Sequence, residues 1–118
     1  MELSEHQEQA ALVQWWDLNC KRLGYPAIAL FAIPNGGKRT VGYGGKLKGE
    51  GMRPGVYDLF LAIPRNGYNG LFIEMKYAKN KPSPEQVEFG RFVATQGYRQ
   101  TVCWSWQVAI HEIEEYLK

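Results

Sequence analysis

Hydrophobic positions along the chain follow two rhythms. From Leu3 to Leu23 they recur at three- and four-residue spacing, through Ala10, Val13, Trp16 or Asp17, Cys20 and Leu23. That spacing predicts an amphipathic helix, with Ser4 as its N-cap and Gly24 and Pro26 as its stop. Ala27–Ile33 is a short unbroken apolar run, which predicts a buried strand. The middle of the chain changes rhythm. Residues 55–64 and 71–76 are two apolar runs joined by Arg65-Asn66-Gly67-Tyr68-Asn69-Gly70, the pattern of a β-hairpin. Ser83-Pro84-Glu85-Gln86 then opens a second helix, with Ser as N-cap and Pro at the first helical position. Its apolar face is Val87, Phe89 or Gly90, Val93 and Ala94, and Gly97 ends it. Tyr98–Trp104 alternates as a fourth strand, and Val108–Leu117 closes as an amphipathic helix capped by Ser105.

The predicted order is α-β-β-β-α-β-α. Short connections let the first three strands form an antiparallel meander. The helix before the fourth allows a crossover to a parallel neighbour. The expected fold is α/β, a mixed four-stranded sheet flanked by helices, with residues 1–118 as one domain.

Charge interrupts this pattern at one place. Asp58 stands near the start of the first hairpin strand, and Glu74 and Lys76 stand two apart on one face of the second. Charged groups in apolar strands need partners, so three of them together mark a candidate site. A cross-strand salt bridge is the structural alternative. Asp58 and Glu74 offer hard oxygen ligands suited to Mg²⁺ or Mn²⁺. Met75 points its side chain to the other face, while its backbone carbonyl remains available to a metal. Lys76 is placed to hold a water or offset phosphate charge.

Composition adds little until it is mapped. The 118 residues carry a formal net charge of +2, but residues 38–53 alone hold Lys38, Arg39, Lys46, Lys48 and Arg53 against Glu50. The connector after the hairpin adds Lys79 and Lys81. Cations beside a carboxylate centre suit a polyanion brought to a metal site, and these seven residues are the candidate contacts to its negative charges. The stretch 38–54 also holds five of the thirteen glycines, which predicts an exposed, mobile loop. It lacks the Gly-Lys-Ser/Thr of a phosphate-binding P-loop. Cys20 and Cys103 are isolated, as are His6 and His111, which leaves no zinc pattern. No nucleophile elbow supports serine-type catalysis. There is no signal-peptide pattern and no apolar run of membrane-spanning length, so a cytoplasmic protein without a membrane partner is expected. The four tryptophans read as core or partly buried residues, with a dimer contact as the alternative.

These features in their order resemble the VRR-NUC family of the PD-(D/E)XK nuclease superfamily, over nearly the whole chain. The matching residues are Glu5 four before Gln9 on the first helix, Pro34-Asn35-Gly36-Gly37, Gly55-Val56-Tyr57-Asp58, Glu74-Met75-Lys76, Ser83-Pro84-Glu85-Gln86 and Gly97-Tyr98. The resemblance implies a restriction-endonuclease-like core. It implies Asp58 and Glu74 as metal ligands and Lys76 as the catalytic lysine. Glu5 takes the helix-borne acidic position, with Glu8 as the alternative, and Gln86 supports the site. The family's usual proline before the aspartate is Tyr57 here. Small stand-alone members of the family, often encoded by bacteriophages, resemble junction-resolving endonucleases that act as homodimers. The function expected is therefore Mg²⁺- or Mn²⁺-dependent cleavage of DNA, branched or four-way junctions included. The alternatives are a DNA-binding module of the same fold that does not cut, and a phosphoesterase acting on small substrates.

Overall fold

The computed structural model describes residues 3–34 and 49–118. Asn35, Gly36 and Gly37 of the turn motif lie outside the described residues, as do Lys38, Arg39, Lys46 and Lys48 of the predicted loop. Helix α1 spans Glu5–Leu23, α2 Pro84–Thr95 and α3 Trp106–Leu117. Strands β1 (Leu30–Ala32), β2 (Leu59–Leu61), β3 (Leu71–Met75) and β4 (Arg99–Cys103) form one sheet in the order β1-β2-β3-β4. The first three pair antiparallel, and β3 pairs β4 in parallel. The meander with a parallel crossover is as the pattern predicts.

Local chemistry sets the helix ends. Ser4 and Ser83 both open capping boxes: each hydroxyl accepts from the N–H three residues on, and the Gln there accepts from the serine N–H. Ser105 accepts from the Val108 N–H at 3.2 Å. Gly24 ends α1 at φ 97°, a left-handed conformation that glycine adopts without strain. At the hairpin tip Asn66 and Gly67 have φ 52° and 83°, both positive, as the tight turn of a β-hairpin requires. The Arg65 guanidinium and the Asn66 amide then donate to the last carbonyls of α3, so the turn also caps that helix.

The sheet has two unlike faces. Leu59, Leu61, Leu71, Ile73 and Met75 point to one side and meet Leu12, Trp16 and Cys20 of α1 and Ala109, Ile113 and Tyr116 of α3. Phe60 and Phe72 point to the other side, where Phe89 of α2 meets Phe72 edge-on at 5.1 Å.

Three expectations change. Ala27–Ala29 is a 3₁₀ turn, not strand, because the Trp16 indole N–H takes the Ala27 carbonyl at 2.9 Å and the Ala29 N–H turns back to Pro26. What remains of the predicted buried strand is β1, an edge strand with Phe31 45% exposed. The buried stripe of α1 is Glu8, Leu12, Trp16 and Cys20, a four-residue repeat, with Ala10 exposed. In α2 the buried positions are Gly90 and Val93, while Val87 and Ala94 are exposed.

Candidate active site

The site lies where β2 and β3 meet at the sheet end. The β2–β3 register runs Leu61↔Leu71, Phe60↔Phe72, Leu59↔Ile73. One step further it sets Asp58 opposite Glu74, on the face that carries Phe60 and Phe72. Two hydrogen bonds cross the gap: the Asp58 N–H donates to Glu74 Oε1 at 3.2 Å, and the Met75 N–H donates to Asp58 Oδ2 at 3.0 Å. Each carboxylate is thus aimed by the backbone of the other's strand.

Glu74 is the hub. Its second oxygen, Oε2, accepts from Gln86 Nε2 at 2.9 Å and lies 3.4 Å from the Lys76 ammonium. Lys76 shares its face, as the two-residue spacing requires. Both are buried: Glu74 is 2% exposed and Lys76 9%. Gln86 holds Glu74 with its amide nitrogen because its amide oxygen is already committed to the Ser83 N–H. The cap that starts α2 therefore also orients the side chain that supports the site.

The electrostatics are those of crowded carboxylates. Burial first, and then the neighbouring Asp58 charge, push the Glu74 carboxyl up to about 8. Lys76 pulls it back down, and Glu5 adds a small upward push. Glu5, in the first turn of α1, is therefore close enough to be felt at the site. Glu8 is spent elsewhere. Its Oε1 accepts the Trp106 N–H at 2.9 Å, at the start of α3, so this buried carboxylate joins two helices of the dry face.

In the sequence Tyr57 stands where the family's usual proline is expected. The structure gives it a seat. Tyr57 is 2% exposed, its hydroxyl donates to Gln100 Oε1 at 2.9 Å, and its ring lies against Phe89 at 5.2 Å. Burial, and then Glu74, raise its phenol. Gly90 makes the room: a Cβ there would sit 2.5 Å from the Tyr57 hydroxyl oxygen. Gly55, at φ 92°, lies against the Glu85 backbone, where a Cβ would come within 2.5 Å. The chain leading into Asp58 is thereby packed directly on α2. The only sequence signal for this was a glycine at Gly90 in the middle of a helix, where glycine is unfavourable unless something lies against it.

The family model for the VRR-NUC domain matches residues 3–107. The chain belongs to the VRR-NUC domain family. It is also similar to a solved structure named as a VRR_NUC domain protein, with 27% identity and a TM-score of 0.83. That match covers 99% of this chain and 90% of the other. No curated protein matches the chain. The family is one of nucleases, with DNA as the substrate class, and its fold is the mixed sheet described above.

For a VRR-NUC domain a divalent metal is the implied cofactor. Among the described residues no three His, Cys, Asp or Glu side chains converge as a ready-made cage. The donor set nonetheless fits Mg²⁺ or Mn²⁺, which take one or two carboxylates and keep several waters. Two facing carboxylates, one with its proton affinity raised by the other, are a pair that a cation would relieve. A strand residue turns its N–H and C=O to the same side, and the Met75 N–H faces Asp58, so its carbonyl does too. Of the basic residues expected to meet DNA, Arg53, Lys79 and Lys81 are exposed. The other four fall outside the described residues. Among the described residues no helix is long and apolar enough to cross a membrane.

Proposed function

We propose that this VRR-NUC domain is a Mg²⁺- or Mn²⁺-dependent endonuclease that hydrolyses DNA phosphodiester bonds, selects branched structures such as four-way junctions, and works as a homodimer. The observation that carries the reading is the convergence on Glu74 of Asp58, Lys76 and Gln86 from three elements. In this reading Asp58, Glu74 and the Met75 carbonyl hold the metal, which when bound supplies Lewis-acid polarisation of the scissile phosphate. The residues of the chain do the rest. Gln86 fixes the rotamer of Glu74, so the carboxylate is placed before substrate arrives. Lys76, held at Glu74 Oε2, hydrogen-bonds the attacking water and offsets charge that grows on the phosphate. Glu5 completes the acidic side from α1. Arg53, Lys79 and Lys81, with the cations of residues 38–48, hold flanking phosphates, so binding weakens steeply as salt rises. A two-fold junction matches a symmetric dimer with two sites, which supports the homodimer.

The test is a cleavage assay on junction and linear DNA with Mg²⁺ and Mn²⁺, repeated with Asp58→Ala and Lys76→Ala. Cleavage by wild type and its loss in both variants is expected. Undiminished cutting by either variant removes that residue from the site. A second reading, a DNA-binding module that does not cut, draws support from the lack of a three-residue cage among the described residues. Tight DNA binding without Mn²⁺ uptake would favour it. Against it stands a lysine held beside a carboxylate in a buried site, an arrangement that phosphate binding at a surface does not need.

A further inference from the structure

We propose, resting on the nuclease reading above, that Trp104 is a stacking platform for an unpaired base of the DNA substrate. The parallel register of β3 and β4 ends at Met75↔Cys103, and the Lys76 N–H donates to the Cys103 carbonyl at 2.8 Å. Trp104 is therefore the next residue across from Lys76, one step from the reacting centre. It is 44% exposed, although the chain buries Trp16 completely. Both indoles have their N–H satisfied. Trp16 donates to Ala27 inside the protein, whereas Trp104 donates to the Asn80 carbonyl at 2.8 Å on the connector between β3 and α2. That bond tethers one edge of the indole and leaves the ring half exposed, so little side-chain freedom remains to be lost when something lies on it. Asn80 stands between Lys79 and Lys81, both exposed. A tethered aromatic ring beside cations is the pattern that binds single-stranded nucleic acid, with phosphates held by charge and a base held on the ring. A base inside a duplex is already stacked on both faces and cannot use the ring. Trp104 thus supplies a physical reason for a preference for DNA with unpaired or splayed bases, which the metal site itself does not supply.

The experiment compares a splayed-arm DNA, with 2-aminopurine at the unpaired positions nearest the fork, with a fully paired duplex of the same length. Binding is measured in EDTA so that nothing is cut. Wild type should quench the 2-aminopurine on binding. Trp104→Ala should lose about 10-fold in affinity for the splayed arm and less than about twofold for the duplex. Trp104→Phe, which keeps a ring without the N–H, should fall between them. Equal losses on both DNAs, or unchanged affinity for the splayed arm, would overturn the proposal. So would 2-aminopurine that stays as bright when bound to wild type as when free, a readout that does not depend on any variant folding. Wild type that binds and cuts DNA without quenching removes the Trp104 platform alone. Wild type that neither binds nor cuts DNA removes the nuclease reading with it.

Discussion

The two faces of the sheet are built on opposite principles. Under α1 and α3 the layer is dry: Leu12, Trp16, Leu59, Leu61, Ile73 and Ile113 are fully buried, and Glu8, a buried carboxylate on that side, is spent on a helix start. Under α2 the sheet carries aromatic rings near its middle and Asp58, Glu74 and Lys76 at its end. The first face buries apolar area and gains stability from it. The second accepts crowded charge, which costs stability, and holds it in place with a capping glutamine and two backbone N–H groups. The fold's energy and the site's chemistry are therefore carried by different sides of the same strands. Neighbouring residues of β3 divide the work, with Ile73 and Met75 facing one way and Glu74 the other.

The strongest way to break this comparison is to mutate each side and read both stability and cleavage. Lys76→Ala should cut DNA at least ~10²-fold more slowly at temperatures where the variant is folded, the size expected when a preorganised group that stabilises growing charge is removed. Ile73→Ala, three residues earlier on the opposite face, should cost ~2–5 kcal/mol of stability by leaving a cavity, while each folded molecule still cuts. If Ile73→Ala abolished cleavage below its melting temperature, the two faces would not be separable.

A smaller effect probes the seam between them. Gly90→Ala puts a methyl 2.5 Å from the Tyr57 hydroxyl oxygen, so overpacking of ~1–3 kcal/mol is expected in a denaturant titration. Tyr57→Phe in the same chain removes that oxygen and should recover part of the loss. Additive losses in the double variant would mean that the two residues do not meet as described. The two acidic residues of α1 divide the same way. Glu8→Gln should cost ~1 kcal/mol or more in stability by weakening the charge-assisted bond to the Trp106 N–H. Glu5→Gln should leave stability near wild type and slow cleavage.

These divisions were only partly visible in the sequence. Strand and helix order followed from periodicity and from serine caps, both of which are local. Asp58, Glu74 and Lys76 stood out because charge in an apolar strand is anomalous whatever the fold. Gln86 was readable as a cap residue, but its bond to Glu74 depends on where α2 lands on the sheet. The Tyr57–Gly90–Gln100 contact joins positions 33 and 43 residues from Tyr57, and no local pattern encodes that distance. Ala27–Ala29 looked like strand because three small or apolar residues carry no sign of the Trp16 indole that takes the Ala27 carbonyl. Trp104 does not stand apart from the other tryptophans in the sequence, because composition does not distinguish a ring inside from one at the surface.

A further expected effect is on pH dependence without metal. The folded protein holds Glu74 at about 8 against an ordinary value of 4.5. Between those values the native state keeps a proton that the unfolded chain has released, so stability should fall as pH rises through that window. The contribution is fully present below the unfolded value and lost above the folded one. Glu74→Gln should flatten this slope in thermal melts taken in EDTA.

In the proposed function Asp58 and Glu74 hold the metal, and Mn²⁺ titration calorimetry of wild type and Asp58→Asn at pH 7 reads that binding with no cleavage step involved. Saturable Mn²⁺ binding by wild type is expected, with a loss of at least ~10-fold in affinity in Asp58→Asn and the variant still folded. Absence of binding to wild type, or equal binding by the variant, would contradict it.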